Sequence, residues 1–421
     1  MGSQYIQLIL WTLISMATTG CAKTGYGPGE QDWGYIDIRP GAHMFNWLYY
    51  TTADGVANYT ERPLAIWLQG GPGLSSTGLG NFDQLGPIDM HGNERNWTWV
   101  KQMNVLFIDS PLGSGFSYVD NMTLLPSTNN EIALDLVAFL KKFLELHREF
   151  ETVPLHIFTQ SYGGKMAPEF ALELYKAVQR AEVSCDLKSV AIGGPWTSPI
   201  DSILARAPLL FHLGLVDQEG HDQIMKLAHK ALHLVEQKKW IAGDVVETEL
   251  TTFIEQKTYN VDFYNILKYE KENVHEKKLE DFMRGRVSQA LGIPQHVHWG
   301  LHENDIFENI KGEILKPATH IVEELLNKTN VKVSVFTGQL DVICATPGTI
   351  NWIEKLRWLH RDEYVRAPRL PIRIDGNIEG YEKSGGNFTL FWVNRAGHVV
   401  PVDNPMAMNY ILKKCSKLDN E

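Results

Sequence analysis

The chain has 421 residues, 44% hydrophobic and 21% charged, which is ample for a core and lacks the polar excess of a disordered chain. With 39 Lys and Arg against 50 Asp and Glu the net charge is −11, so no basic surplus exists to neutralise nucleic-acid phosphates or anionic lipid. The length suits two or three ordinary domains or one large α/β domain carrying an insertion, and excludes neither.

Residues 1–22 contain no charge; Tyr5–Ala17 is mostly apolar and the small residues Thr18–Ala22 follow. That pattern predicts a secretory leader, too short for the roughly 20 apolar residues of a bilayer span, so no membrane span is expected after its removal. Asn-x-Ser/Thr acceptors at Asn58, Asn96, Asn121, Asn327 and Asn387 fit the same route. The expected destination is secreted or lysosomal. Cys21, Cys185, Cys344 and Cys415 are the 4 cysteines, with no C-x-x-C pair, so at most one or two disulfides are expected and their pairing is open.

Short apolar runs predict strands at Leu64–Leu68, Val105–Ile108, Leu155–Phe158, Val190–Gly193, Val331–Phe336 and Thr389–Val393, continuous enough to be buried on both faces. Between them, Glu131–Phe150 has helical periodicity and Pro168–Arg180 reads as a helix opening near Pro168. Strand alternating with helix is the α/β pattern. From Leu204 to Lys316 the texture turns polar and rich in Lys, Glu and His, with one apolar stripe at Ile224, Leu227, Ala231 and Val235. The expected organisation is leader 1–22, core 23–203, helical cap insertion 204–316 over the active edge of the sheet, and core 317–421.

The chemistry concentrates after three of these strands. Ser161 lies between a strand and a helix in Thr159-Gln-Ser161-Tyr-Gly-Gly164, the layout of a nucleophile elbow, although position 159 holds Thr where G-x-S-x-G has Gly. Asp341 follows the strand ending near Phe336, and His398 follows the strand ending at Val393, giving the order Ser, Asp, His. A Ser needs a base to take its proton and the base needs a carboxylate to orient it, so the three predict acyl transfer. Gly70, Gly71 and Gly73 form a turn after the Leu64 strand whose amides suit an oxyanion. They do not complete G-x-G-x-x-G, and no P-loop Lys follows, so a nucleotide is not expected.

These residues resemble the serine carboxypeptidases of the α/β-hydrolase fold, most closely the retinoid-inducible branch. The likeness runs through Trp67–Gly73, Asn81–Pro87, Asn104–Tyr118, Ser161–Ala167, Ser198–Ser202, Gly338–Asp341 and Ala396–Pro401, in the family's order. It implies an α/β-hydrolase fold with a helical cap, Ser161 as nucleophile, His398 as base and then acid, and Asp341 as its orienter. It also implies an oxyanion hole from the amides of Gly71 and Tyr162, a substrate-lining Cys344, peptide substrates with a free C-terminus, and no cofactor. In the family an amide and two Glu sharing a proton bind the substrate carboxylate; here those places hold Gln69, Gln84 and Gln160. Gly194 and Pro195 stand where the branch has Asp-Ser.

The loss of both acids favours, as an alternative, an esterase or acyltransferase on the same scaffold; a non-catalytic secreted binder is the alternative from another class. His296, His298 and His302, and His229 with His233, have metal-like spacings, but the second pair lacks the zincin Glu and no metal is expected.

Overall fold

The computed structural model describes residue 23 and residues 25–268, 273–300 and 302–418. The expected leader lies outside them. Eleven strands form one sheet: β1 (Gln31–Arg39), β2 (Ala42–Tyr49), β3 (Leu64–Leu68), β4 (Asn104–Ile108), β5 (Tyr118–Val119), β6 (Pro154–Gln160), β7 (Asp186–Gly193), β8 (Lys332–Gly338), β9 (Leu370–Ile374), β10 (Asn377–Gly385) and β11 (Phe388–Val393). Their order is β1-β2-β4-β3-β6-β7-β8-β11-β10-β9, with β5 beside β2. The central run β4-β3-β6-β7-β8-β11 is parallel, and antiparallel strands flank it on both sides.

Strand pleating explains the continuous apolar runs, because successive side chains enter opposite layers. Leu64, Ile66 and Leu68 of β3 join one core, with Leu106, Ile108 and Ile157, whereas Ala65 and Trp67 join the other, with Val105, Phe107 and Phe158. The first layer is closed by α1 (Asn129–Leu146) through Ile132, Leu136 and Phe139, and by α2 (Gly163–Gln179) through Met166, Phe170 and Leu174. The second is closed by the C-terminal helix Pro405–Ser416 through Met408, Ile411 and Leu412. A mostly parallel sheet sandwiched in this way is the α/β-hydrolase architecture.

Two helices begin earlier than the sequence pattern suggests. Helix α1 starts at Asn129 because Thr128 and Glu131 form a reciprocal capping box, and it ends at Leu146; Arg148–Phe150 is a separate 3-10 turn. Helix α2 starts at Gly163, so Pro168 is interior and not near the first turn. The missing Pro168 amide would have served the Gly164 carbonyl, which instead accepts the Thr197 hydroxyl at 2.7 Å.

Between β7 and β8 the chain runs through α3 (Pro199–His212), α4 (Gln218–Glu236), α5 (Trp240–Thr258), α6 (Asn273–Phe282), shorter helical pieces and the helix Thr319–Lys328. Position 204 falls inside α3, which continues unbroken from the core side. In α4, Ile224, Ala228, Ala231 and Val235 are buried and Leu227 is half-buried. No helix among the described residues is long and apolar enough to cross a membrane.

Candidate active site

Because β3, β6, β8 and β11 are parallel, the loops that follow them emerge at one edge of the sheet. Ser161 comes directly after β6 with φ +60°, a left-handed conformation that a non-glycine residue adopts only when its surroundings impose it. Its amide donates to Gly193 O at 2.9 Å, and its carbonyl accepts from Gly164 N at 2.8 Å and Trp196 N at 2.9 Å. The elbow therefore hangs from the neighbouring strand end and the first turn of α2. Thr159, the departure from the elbow motif, donates its hydroxyl to Leu68 O at 2.7 Å. Its Oγ1 would lie 1.6 Å from a Cβ at residue 163, so only glycine fits there.

The turn after β3 abuts the elbow. A Cβ on Gly70 would stand 2.6 Å from Ser161 Cβ and 3.2 Å from Tyr162 N. Glycine at 70 is what lets the Gly71 amide approach the start of α2, and neither the Gly71 nor the Tyr162 amide has a protein acceptor among the described residues. The Tyr162 side chain points back into the core and donates to Asn129 Oδ1 at 2.8 Å.

His398 and Asp341 are both buried, and Nδ1 of the imidazole is 2.7 Å from Asp341 Oδ2. The other oxygen, Oδ1, accepts the Cys344 amide at 2.9 Å. This bond leaves Nε2 as the ring nitrogen turned away from the carboxylate. Nε2 is buried with no hydrogen-bond partner, so the Ser161 hydroxyl is not bonded to it in this state. Such contacts commonly tighten only when substrate is bound.

A cavity of about 680 Å³ opens here and is lined by Ser161, His398, Gly71, Gln69, Gln84 and Gln160, among others. All three glutamines are buried. Gln69 accepts Trp67 Nε1–H at 2.8 Å, while Oε1 of Gln84 and of Gln160 is buried without a donor. Arg95 also lines the space, but its Nη atoms donate to the carbonyls of Asn81, Gly86, Ile88 and Phe82, which holds the loop carrying Gln84. Desolvation lowers the Arg95 pKa from its usual value.

A family model described as serine carboxypeptidase matches residues 23–417. This chain belongs to the serine carboxypeptidase family. A mouse retinoid-inducible serine carboxypeptidase is 36% identical over 403 residues, covering 89% of each chain. Serine carboxypeptidase-like 51 of Arabidopsis thaliana is 34% identical over 447 residues, covering 96% of each. The crystal structure of a prohormone-processing carboxypeptidase from Saccharomyces cerevisiae shares the fold, with a TM-score of 0.79 at 21% identity over 92% of this chain and 91% of that one.

In this serine carboxypeptidase Cys344 does not line the cavity, contrary to expectation. It is wholly buried behind Asp341, and burial together with that carboxylate pushes its thiol pKa far up. Asp341, Cys344 and His398 form the one cluster with metal-ligand spacing among the described residues. The aspartate–imidazole hydrogen bond and a protonated thiol suit a proton relay and not a cation. The histidines with metal-like spacing do not form such a cluster: His229, His233, His296 and His298 are exposed, and His302 pairs with Asp305 at 2.9 Å.

Several neighbours of the site carry no sequence signal. The segment after α5 bridges the loops that carry Asp341 and His398: Phe263 O accepts the amides of Val342 and Ile343 at 2.9 and 3.1 Å, and Ile266 N donates to Leu340 O at 3.3 Å. Tyr264 O accepts the His398 amide at 2.6 Å, and the Tyr264 ring meets the imidazole edge-on at 5.3 Å. From α6, His275 Nε2 lies 3.0 Å from Asp83 Oδ2, beside Gln84. Behind the elbow, the buried Lys165 donates to the carbonyls of Glu313, Ile314 and Lys316, and burial lowers its pKa to about 7.

Proposed function

We propose that this serine carboxypeptidase removes C-terminal residues from peptides through an acyl-enzyme on Ser161. The observation that carries the reading is the 2.7 Å His398–Asp341 bond beside the Ser161 elbow in one cavity. Asp341 fixes the tautomer with hydrogen on Nδ1, which leaves Nε2 to take the Ser161 proton as the hydroxyl attacks the last peptide carbonyl. The oxyanion that forms is received by the amides of Gly71 and Tyr162, the second of them at the N-terminus of α2, where the helix dipole favours negative charge. His398 then returns the proton to the departing amine, and water repeats the sequence to release the acyl group. Labelling with a fluorophosphonate, lost in Ser161→Ala, together with release of the last residue from an N-blocked dipeptide, tests it. A labelled enzyme that cleaves simple esters and no peptide would establish the esterase or acyltransferase reading, which the three glutamines favour.

Residues 204–316 serve in this reading as a cap that sets substrate choice. Gln69, Gln84 and Gln160 are the groups that receive the substrate's terminus. The route is secretory, ending in a lysosome or outside the cell. Its support is the set of glycan acceptors: Asn58, Asn96, Asn121 and Asn327 are exposed, whereas Asn387 is half-buried with its Nδ2 turned toward Leu326 O and Val331 O. Asn327, though exposed, also turns its Nδ2 to the carbonyls of Glu323 and Arg357, so Asn58, Asn96 and Asn121 are the better places for glycans.

A further inference from the structure

The first turn of α2 is held from behind by residues 313–318 of the long excursion between β7 and β8. Lys165 is wholly buried there, and its ammonium donates to the carbonyls of Glu313, Ile314 and Lys316 at 2.5, 2.7 and 2.8 Å, so its three N–H groups are all used. The same Nζ stands 5.3 Å from the centre of the Tyr162 ring. The far end of that ring is tied to the same turn. Its hydroxyl donates to Asn129 Oδ1 at 2.8 Å, and Asn129 Nδ2 donates to Glu313 Oε2 at 3.4 Å.

Two further links run from this turn to the elbow. Trp196 donates its indole N–H to Ile314 O and its amide to Ser161 O, both at 2.9 Å, while Thr197 O accepts the Ala318 amide at 2.9 Å and Thr197 Oγ1 donates to Gly164 O. The left-handed backbone of Ser161 persists only where the surroundings over-determine it, and these links are such surroundings. Lys165 is their most concentrated member. An apolar side chain in its place leaves three buried carbonyls without a donor, so the turn must draw away and the Tyr162 ring loses the group it rests on.

Resting on the oxyanion role given above to the Tyr162 amide, we propose that Lys165 is a positioning residue for the reaction: its ammonium clamps the turn 313–316 against Tyr162 and thereby fixes where the Tyr162 amide meets the oxyanion. It touches no substrate and moves no proton. The charged and titratable groups that face it are Glu313 and Lys316 on the turn, Asp244 on α5 and Tyr162 on its own helix, and Glu169 of α2 faces Glu313 and Lys316. Above about pH 7 the amine is neutral and has two N–H groups for three carbonyls, while Asp244, raised to about 6 by burial, is already ionised. The clamp then slackens without weakening the fold. The unfolded chain, with lysine near 10.4, holds its proton longer, so the contribution of this group to stability rises with pH across that window.

The test compares the parent with Lys165→Met and Lys165→Arg on an N-blocked Phe-Leu dipeptide, with rates counted per fluorophosphonate-reactive Ser161. Inhibition by N-blocked phenylalaninal is measured beside it, because the hemiacetal oxygen formed on Ser161 occupies the oxyanion site. Lys165→Met is expected to lose about 10-fold in kcat, the effect of roughly half an ångström of misplacement, with KM within about two-fold and the aldehyde bound about 10-fold more weakly. In the parent, kcat should step down about 3-fold above about pH 7. Lys165→Arg, whose guanidinium stays charged, should remove that step. A lysine that only stabilises the fold would lower the melting temperature of Lys165→Met and leave kcat per site and aldehyde affinity within about two-fold of the parent, which overturns the inference. A step retained in Lys165→Arg overturns it too. If neither variant folds, the parent decides, and a kcat that does not fall between about pH 7 and 9 refutes the inference. If a p-nitrophenyl ester is hydrolysed and no dipeptide is, the peptidase reading fails, and the same comparisons on the ester still judge Lys165.

Discussion

Gly194→Ala is the substitution whose effect follows most directly from the geometry around His398. Gly194 has φ +42° in the loop after β7, and its amide donates to Phe336 O at 2.8 Å. An added Cβ would stand 2.9 Å from His398 Nδ1 and 3.1 Å from Asp341 Oδ2, the two atoms joined by the 2.7 Å bond. Ordinary contact begins near 3.4 Å, so the imidazole must retreat by about half an ångström. A misplacement of about 1 Å costs a reaction roughly 100-fold, so kcat should fall about 10-fold. KM should barely move, because Gly194 is not among the residues lining the cavity. The left-handed backbone adds a cost of about 1–2 kcal/mol in stability. Gly292→Ala is the control: φ is +65° and nothing lies within 4 Å of its added Cβ. Steady-state kinetics on a blocked dipeptide and thermal melts of both variants separate the two effects. Both should melt lower, Gly194→Ala by more because its Cβ also presses on the buried pair, and only Gly194→Ala should lose kcat. If Gly194→Ala keeps kcat within about two-fold of the parent, the contact argument is wrong.

Ser161→Ala and His398→Ala should each lose about 10⁴-fold or more in kcat, the first with unchanged melting and the second melting lower because the buried Asp341 carboxylate loses its partner, and the double variant should be scarcely slower than either, which single-turnover assays can read. KM for a dipeptide with a free carboxylate should stay flat from about pH 4 to 8, since Gln84 and Gln160 cannot ionise. In Gln84→Glu with Gln160→Glu the pair loses its shared proton as pH rises and repels the substrate, so KM should climb toward neutrality; a flat KM there would show that the two positions do not share the terminus. His156 is buried with Nδ1 2.7 Å from Ser189 Oγ, and desolvation lowers its pKa to about 4. The unfolded chain, with an imidazole pKa near 6.5, then binds more protons than the folded one, so stability falls as pH drops from about 6.5 to 4, by roughly 3 kcal/mol. Urea unfolding at about pH 7 and 4.5 should show that loss in the parent and a smaller one in His156→Gln.

The central strands and the order of the three principal residues were legible because a strand buried on both faces must be apolar throughout, as Leu64–Leu68 is. The edge strands were not. Gln31–Arg39 has one wet face and no clean alternation. The β9–β10 hairpin has a good local signal in Asp375-Gly376, both at positive φ, yet its flanks are too exposed to read as strands. Pro168 misled for a physical reason: its missing donor is replaced by Thr197, 29 positions on, which no local rule can anticipate. Cys344 was misplaced for a related reason. Sequence puts it close to Asp341 but cannot say that its thiol is wholly buried beside Asp341 and His398 and closed off from the cavity. The contacts of Tyr264 and Gly194 with His398 exist only because distant loops meet at one edge of the sheet.

The stretch from Phe263 to Ile266 bears on how far this scaffold can be rearranged. It comes from the long excursion between β7 and β8, yet its backbone is bonded to the Asp341 loop on one side and to His398 on the other. Asp341 and His398 therefore share a splint that lies outside the strands carrying them. Grafting another excursion in its place, or trimming it to a short turn, would unseat the imidazole as well as alter the mouth of the cavity. Any redesign of α4 and α5 would therefore have to keep the four residues from Phe263 to Ile266 with the hydrolase core.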